Sequence, residues 1–543
     1  MDENDFQPGS TIAETLERLG YLEFREGQEE AIRHLLAGEN VLVVLPTGSG
    51  KSLIYQIAAL HKPGVSIVLS PLIALMQDQV DKLEAQKIAA TFINSTLSDE
   101  EEATRLERMK EGVYKIVYVA PERLRQNAFR EQVRHVDVCL LAVDEAHSVS
   151  EWGHDFRTDY LHIGEFRRFI DNPPTVALTA TATERVKDEI VAALGLSGAR
   201  RVGGSFDRPN IKFSVEKVDD ADDVDRAKLE AIQQIFNRRN SEAAIVYVGT
   251  RKNAEEVAAY LRDEVGANAE HYHAGLASGR RADVQEAFIE GELPVVVATN
   301  AFGQGIDRSD VRLVLHHSMP ASLAEYYQEA GRAGRDGKSA EAILLYSKDD
   351  RRLHDYFISQ SDYDYDELER LYMTLSEERH HNEVDGRKVV ADMKGVAREV
   401  HLGGQGVRMR VALQHLEEAG VVEPGLYDGE DQELVLKEWD EDAVRKIVRK
   451  VEAYTEQKVG QLEEMIAYAE NTLECRRALL LEYFGDEAPD AVRSDCCDVC
   501  QAKCEVAEFV AEIEEEREAA DESEANEPPP ALVDTILDCV QAF

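Results

Sequence analysis

The chain has 543 residues, 43% of them hydrophobic and 31% charged, with a formal net charge of -45. That length accommodates several domains with separate cores. No apolar run is long enough for a membrane span, and the acidic N-terminus MDENDFQPGS lacks the charged-then-apolar order of a signal peptide, which predicts a soluble intracellular (cytoplasmic) protein with no membrane partner. The charge excludes polyanion binding through a bulk positive field. The acids are spread along the whole chain and arginine well outnumbers lysine, a pattern expected of a protein adapted to high internal salt. At 1 M salt the Debye length is about 3 Å, which leaves contact with a polyanion to local groups.

In chain order, residues 10–40 read as helices with Ile12, Leu16, Leu19, Ala31, Ile32, Leu35 and Leu36 at helical spacing. The apolar run Val41–Pro46 then enters Thr47-Gly48-Ser49-Gly50-Lys51-Ser52, followed by the helical LIYQIAAL. Strand, glycine-rich turn, Lys-Ser and helix form a phosphate-binding loop. Its N–H groups and helix terminus cradle phosphate oxygens, Lys51 reaches the β- and γ-phosphates, and Ser52 holds Mg²⁺. Strands are predicted at Ser66–Ser70, Lys115–Ala120, Val138–Val143 and Thr175–Thr179, with helices between. This alternation predicts a parallel α/β sheet over residues 1–204.

Within that domain, Ala142–Tyr160 stands apart. An apolar strand ends in Asp144 and Glu145, and Trp152, His154, Phe156 and Arg157 follow within a few residues. Asp144 suits Mg²⁺ coordination and Glu145 suits polarising an attacking water, while the aromatics offer a stacking surface.

A second α/β unit, 205–350, has strands predicted at Ala243–Val248, Ala269–Tyr272, Val295–Ala298, Val311–His316 and Glu341–Tyr346, and no phosphate loop. Tandem domains facing across a cleft are therefore expected. Gln328-Glu329-Ala330-Gly331-Arg332-Ala333-Gly334-Arg335 reads as a helix presenting Arg332 and Arg335 on one face, from which both would reach the γ-phosphate. Residues 351–439 read as an inserted helical or winged-helix-like unit, with Arg408 and Arg410 on its second helix, where base or phosphate contacts are made, and a structural spacer as the alternative. Residues 440–508 read as a helical, zinc-binding domain and 509–530 as an acidic flexible linker. Residues 531–543 read as the start of a truncated winged-helix domain. Cys475, Cys496, Cys497, Cys500 and Cys504 cluster as metal ligands cluster in an intracellular protein.

As an ordered set, these motifs resemble the RecQ family of superfamily 2 helicases over about residues 10–350. The matching stretches are FREGQEEAI (24–32), SPLIALMQDQV (70–80), YVAPERL (118–124), DEAH with SEWGHDFR (144–157), ALTATAT (177–183), VVVATNAFGQGIDRSDVR (295–312) and YYQEAGRAGRDG (326–337). The resemblance implies two RecA-like domains with ATP between them, and 3′-to-5′ movement on single-stranded DNA with unwinding of tailed or forked duplexes in repair and recombination. It places Tyr21, Arg25 and Gln28 at the adenine, Gly305 and Asp307 at the nucleotide, and Gln328, Arg332 and Arg335 in catalysis. Trp152, His154, Phe156 and Arg157 would couple DNA to Glu145, so Trp152→Ala should lose stimulation by DNA. It also implies Zn²⁺ on Cys475, Cys496, Cys497 and Cys500, with Cys504 a rival for Cys496 or Cys497. An RNA-directed motor, or a DNA-stimulated translocase that unwinds poorly, are the alternatives. Nucleoid association is expected in a prokaryote.

Overall fold

The computed structural model describes residues 10–71, 73–150, 158–218, 223–239, 242–302, 308–360, 362–377, 381–385, 388–400, 407–427, 431–487, 493 and 495–521. They fall into two compact units, 1–347 with 467–543, and 348–466.

The first unit holds two parallel sheets. Strands β1 (Val41–Val44), β2 (Val65–Leu69), β3 (Ala90–Ile93), β4 (Ile116–Val119), β5 (Val138–Val143), β6 (Thr175–Thr179) and β7 (Arg200–Gly203) are ordered β3-β4-β2-β5-β6-β1-β7. The central strands are continuous apolar runs because helices cover both faces. Val41, Val43, Ile54, Ile57, Val68, Leu140 and Leu178 are among the buried residues of this core. All these strands run parallel, so the loops after β1 and β5 leave the sheet at the same carboxyl edge, where α/β sheets bind ligands.

The second sheet contains β8 (Ile211–Lys217), β9 (Ala244–Tyr247), β10 (Ala269–Tyr272), β11 (Val295–Ala298), β12 (Leu313–His316) and β13 (Ala340–Tyr346), ordered β10-β11-β9-β12-β13-β8. Its edge strand β8 is covered by the cysteine-rich segment. The Phe213 N–H donates to Cys496 O at 3.2 Å and the Val215 N–H to Asp498 Oδ2 at 3.1 Å. Arg477 donates to both carboxylate oxygens of Asp207 at 2.5 Å, and the Phe484 ring stacks on Phe206 at 4.6 Å.

The second unit carries an antiparallel sheet of β14 (His381–Asp385), β15 (Lys388–Asp392), β16 (Val422–Tyr427) and β17 (Asp431–Leu436), ordered β14-β15-β17-β16. Helices Met393–Glu399 and Val407–Glu418 lie between β15 and β16. Its core also takes in Val444 and Val448, so the first turns of the helix Glu441–Glu470 pack here. Arg408 is not available to DNA as expected. It donates to Glu367 at 2.8 Å and to Asp362 O at 3.1 Å and lies over the Tyr363 ring, whereas Arg410 is exposed.

The predicted linker is another correction, because the helix Asp498–Asp521 runs well into 509–530. Glutamate and alanine have high helix propensity, so a charged stretch without proline or glycine continues the helix. Residues 522–530 and the predicted start of a winged helix at 531–543 lie outside the described residues. Among those described, no helix is long and apolar enough to cross a membrane.

Candidate functional site

The loop after β1 is built from left-handed glycines. Gly48 has φ +82°, and a Cβ there would stand 3.1 Å from Arg335 Cδ, so the arginine stem from the other α/β domain lies directly over the loop. Gly50 caps the helix Lys51–Leu60. Lys51 Nζ donates to Leu45 O at 3.0 Å and Pro46 O at 3.3 Å, which folds its ammonium back across the loop. Burial lowers the Lys51 pKa, while nearby Glu145 and Asp144 oppose the shift. Ser52 begins the same helix beside Lys51, and Thr47 lies in the turn before it.

The predicted base-reading residues divide. Tyr21 is exposed, as is Arg25, whose guanidinium donates to Gly48 O. Gln28 is buried, and its carboxamide donates to Ser49 O at 2.8 Å and Gly50 O at 3.1 Å while accepting from the Arg25 N–H at 2.9 Å. In this structure Gln28 braces the loop.

Strand β5 delivers the acids. Asp144 N–H donates to Leu69 O at 2.8 Å, and Glu145 follows in the left-handed region at φ 48°. Such a conformation in a non-glycine residue costs on the order of 1 kcal/mol or more and turns the side chain out of the strand direction. Burial and the adjacent Glu145 raise the Asp144 pKa to about 7, with Lys51 opposing. His147, which sequence reading did not single out, is fully buried, with Nδ1 2.9 Å from Thr179 Oγ1 and 3.4 Å from Glu145 Oε2. It joins the acids to the ALTATAT segment. The Tyr160 hydroxyl donates to Asp144 O at 2.9 Å. Trp152, His154, Phe156, Arg157, Gly305 and Asp307 lie outside the described residues.

Arg332 and Arg335 are not on a helix. The helix Leu323–Ala330 stops first, and both arginines sit in the following turn, next to Gln328 in the last helical turn. Gly334, at φ +57°, ends any continuation, and a Cβ there would stand 2.4 Å from Asn210 Nδ2. Arg208 donates to Gly331 O at 2.8 Å and Ala333 O at 2.7 Å, and Asn210 to Gly334 O at 2.8 Å. These donors hold the turn's carbonyls as a further helical turn would have done. Arg332 is 5% exposed.

The sulfur atoms of Cys475, Cys496, Cys497 and Cys500 all lie within 4.8 Å of one another, without Cys504. Tetrahedral zinc with bonds of about 2.3 Å needs sulfurs just under 4 Å apart, so the four thiols fit a closed structural site. Glu255, His271 and His273 also converge. Both nitrogens of His273 are already used, however, Nε2 with Glu255 Oε1 and Nδ1 with the Gly275 N–H, each at 3.2 Å. Arg251 borders this group as well, its Nη1 3.2 Å from where a Gly275 Cβ would stand. That arrangement serves a hydrogen-bonded pair better than a cation.

A glycine-rich loop, a lysine, two half-buried carboxylates and an arginine from a second domain can together hold a polyphosphate with a hard divalent cation and direct water at its terminal phosphorus.

Three family models match in order: DEAD/DEAH box helicase over residues 25–189, helicase conserved C-terminal domain over 227–337, and RecQ zinc-binding over 439–501. The chain is 46% identical over 348 residues to the ATP-dependent DNA helicase RecQ of Bacillus subtilis, covering 64% of this chain and 57% of that protein. It is 38% identical over 366 residues to the probable ATP-dependent DNA helicase RecS of the same organism, covering 67% of this chain and 72% of that protein. The chain spans 51% to 57% of the length of three bacterial RecQ relatives. Among solved structures, the Mycobacterium smegmatis helicase Lhr bound to ssDNA and AMP-PNP aligns at TM-score 0.52 with 20% identity, over 81% of this chain and 62% of that one. Helicase MrfA bound to DNA aligns at TM-score 0.55 with 20% identity, over 82% and 64%. At that identity the likeness is one of fold.

Proposed function

The chain belongs to the RecQ family of superfamily 2 helicases, and from that premise we propose that it hydrolyses ATP to drive 3′-to-5′ movement on single-stranded DNA and to unwind tailed duplexes. The observation that carries this reading is Arg335 lying over Gly48 while Lys51, Asp144 and Glu145 surround the same loop. The loop's N–H groups and Lys51 bind the phosphates. Glu145 orients the attacking water and accepts its proton, with the His147 imidazole 3.4 Å behind its carboxylate. Arg335, and Arg332 beside it, meet the charge that develops on the terminal phosphate.

Mg²⁺ would fit Ser52 and Asp144, because burial and the adjacent Glu145 disfavour the Asp144 carboxylate and a dication beside it would relieve that. When bound, the ion supplies Lewis-acid charge on the phosphate oxygens. Zn²⁺ fits the four thiols as a structural ion. Trp152, His154, Phe156 and Arg157 would stack on DNA and report its presence to Glu145 through the short segment between them. Gly305 and Asp307 would face the nucleotide from the second domain. Family membership favours a nucleoid-associated cytoplasmic protein working in repair and recombination if the source is prokaryotic.

The test is ATPase rate with matched single-stranded DNA and RNA, and unwinding of duplexes tailed at either end. Stronger stimulation by DNA and unwinding from the 3′ tail are expected. Stronger stimulation by RNA, or unwinding from the 5′ tail alone, would overturn the reading.

A further inference from the structure

Arg332 and Arg335 lie beyond the end of their helix, so something other than that helix sets where they stand. The helix itself is fixed. His316 Nε2 is 3.0 Å from Glu329 Oε2, and the His316 ring stacks on Tyr247 at 5.4 Å and lies 5.0 Å from the Tyr326 ring. Burial keeps the Glu329–His316 pair uncharged near neutrality, with Glu329 raised to about 8 and His316 lowered to about 3. These contacts stop at the last helical turn. Beyond it, one side chain takes three of the next four carbonyls: Arg208 Nη1 donates to Gly331 O at 2.8 Å, and Nη2 to Ala333 O at 2.7 Å and Gly334 O at 3.2 Å. Arg208 belongs to the connection between β7 and β8, and residues 477–486 grip that connection. Ser205 Oγ and the Phe206 N–H both donate to Asp486 Oδ2, at 2.9 and 2.7 Å. Arg477, which chelates the Asp207 carboxylate, has its Nη1 4.0 Å from Cys496 Sγ. The Tyr327 hydroxyl, on the arginine helix, donates to Phe206 O. Consecutive residues thus serve two partners: Asp207 the cysteine module and Arg208 the arginine turn.

We propose that Arg208 is a positioning residue for Arg332 and Arg335, held in turn by Arg477 through Asp207. Carbonyls past a helix end lack the N–H partners that a further turn supplies, and leaving them unmet in a buried turn is costly. The rigid guanidinium fork serves them from two nitrogens at once, which a lysine ammonium on a flexible stem reproduces poorly. Arg208 is also a charged donor, so each of these bonds is stronger than a neutral one. Loosening them lets the turn shift, and a shift of about 1 Å at a catalytic group costs on the order of 100-fold in rate. The loss falls on the transition state, where the arginines act, and not on the binding of ATP.

The inference rests on the ATPase reading, and Arg208→Lys in the whole chain separates the two. Its kcat for DNA-stimulated ATP hydrolysis should fall about 10- to 100-fold, with ATP affinity by direct titration within about twofold. Affinity for ADP with aluminium fluoride, a mimic of the phosphoryl-transfer transition state, should fall by the same factor relative to ADP alone, which a merely structural defect does not produce. Asp207→Asn keeps the side chain's shape and weakens its pairing with Arg477. It should lower kcat about 3- to 10-fold, and no further when combined with Arg208→Lys. If Arg208→Lys does not fold, Asp207→Asn decides the question by the same split between kcat and affinity. Both substitutions leave β8 covered. With an active wild type, an unchanged kcat, or an ATP affinity that falls as far as kcat, would overturn the positioning role, and a full additional fall in the double variant would remove Arg477 from it. A wild-type chain that hydrolyses no ATP would instead overturn the ATPase reading, and the positioning role with it.

Discussion

The two parallel sheets are built to one plan and finished differently. In the first, the carboxyl edge carries backbone donors and charged catalytic chemistry: a glycine loop, a lysine folded over it and two half-buried acids. In the second, the same edge is filled by a buried, uncharged stack of Tyr247, His316 and Tyr326, with the arginines set beyond it in a turn held by Arg208 and Asn210. Their outer edges differ too, since β8 is covered by the cysteine module whereas β7 has Arg201 paired with Glu184 at 3.3 Å and Asp188 at 2.5 Å on its exposed side. The difference teaches that a repeated fold places a site at its edge but leaves to each copy whether that edge supplies charge or stiffness.

The sharpest way to break this comparison is to remove the arginine that the stiff domain lays over the loop. Arg335→Ala should lower kcat by roughly 10³- to 10⁵-fold, as loss of an arginine finger does, with little change in nucleotide affinity measured by direct titration. A fall confined to affinity would make Arg335 a binding group.

The next effect concerns what the second domain leans on. Cys475→Ser should release zinc, measured by metal analysis, and cost more than about 4 kcal/mol of stability, because a ligand is lost from a closed site. Hydrogen exchange should show the loss concentrated in β8 and residues 471–510, with the first sheet unaffected. A variant that keeps its zinc and its stability would disprove the ligand set.

The smallest effect probes the uncharged stack. The folded-state pKa of Glu329 is raised by burial from an ordinary 4.5 to about 8, so the folded chain holds this proton more tightly than the unfolded chain. Stability from this group is therefore fully present at low pH and is lost as pH rises from 4.5 through about 8. His316 works in the opposite sense, but only as pH falls through 6.5 toward about 3. Between about pH 6.5 and 8.5, then, the wild type should lose about 2 kcal/mol that Glu329→Gln does not lose, read as the difference in their melting temperatures. Parallel pH profiles would show the carboxyl to be ionised already.

Long apolar strands were legible because burial on both faces leaves no room for polar alternation. The predicted Val138–Val143, Thr175–Thr179 and Val295–Ala298 coincide with β5, β6 and β11. Strands β7 and β8 were missed because edge strands keep one wet face, and sequences such as Ile-Lys-Phe-Ser-Val-Glu-Lys alternate. Strand β3 was missed because four residues flanked by Ala and Asn leave too short a signal.

The phosphate loop, Asp144, Glu145 and a metal-binding cluster of five cysteines were readable from residue type and spacing, while the choice of four among them rested on the family resemblance. The arginines were readable as arginines but not as a turn. Only the long-range donors Arg208 and Asn210, more than 120 residues earlier, show why the helix can stop where it does. His147, Tyr247, His316 and Glu329 carry no signal of their own, since buried polar residues acquire meaning only from the partners folding gives them.

The hydrogen bond from the Phe213 N–H to Cys496 O has a consequence for handling this protein. An open β-strand edge is a template on which a second chain can add. Removing residues 471–521, or disordering them with a chelator, would bare the outer rim of β8 over the apolar alternation Ile211, Phe213, Val215. Such a sample should self-associate, and lost turnover in it would first reflect lost soluble monomer and not a slower chemical step.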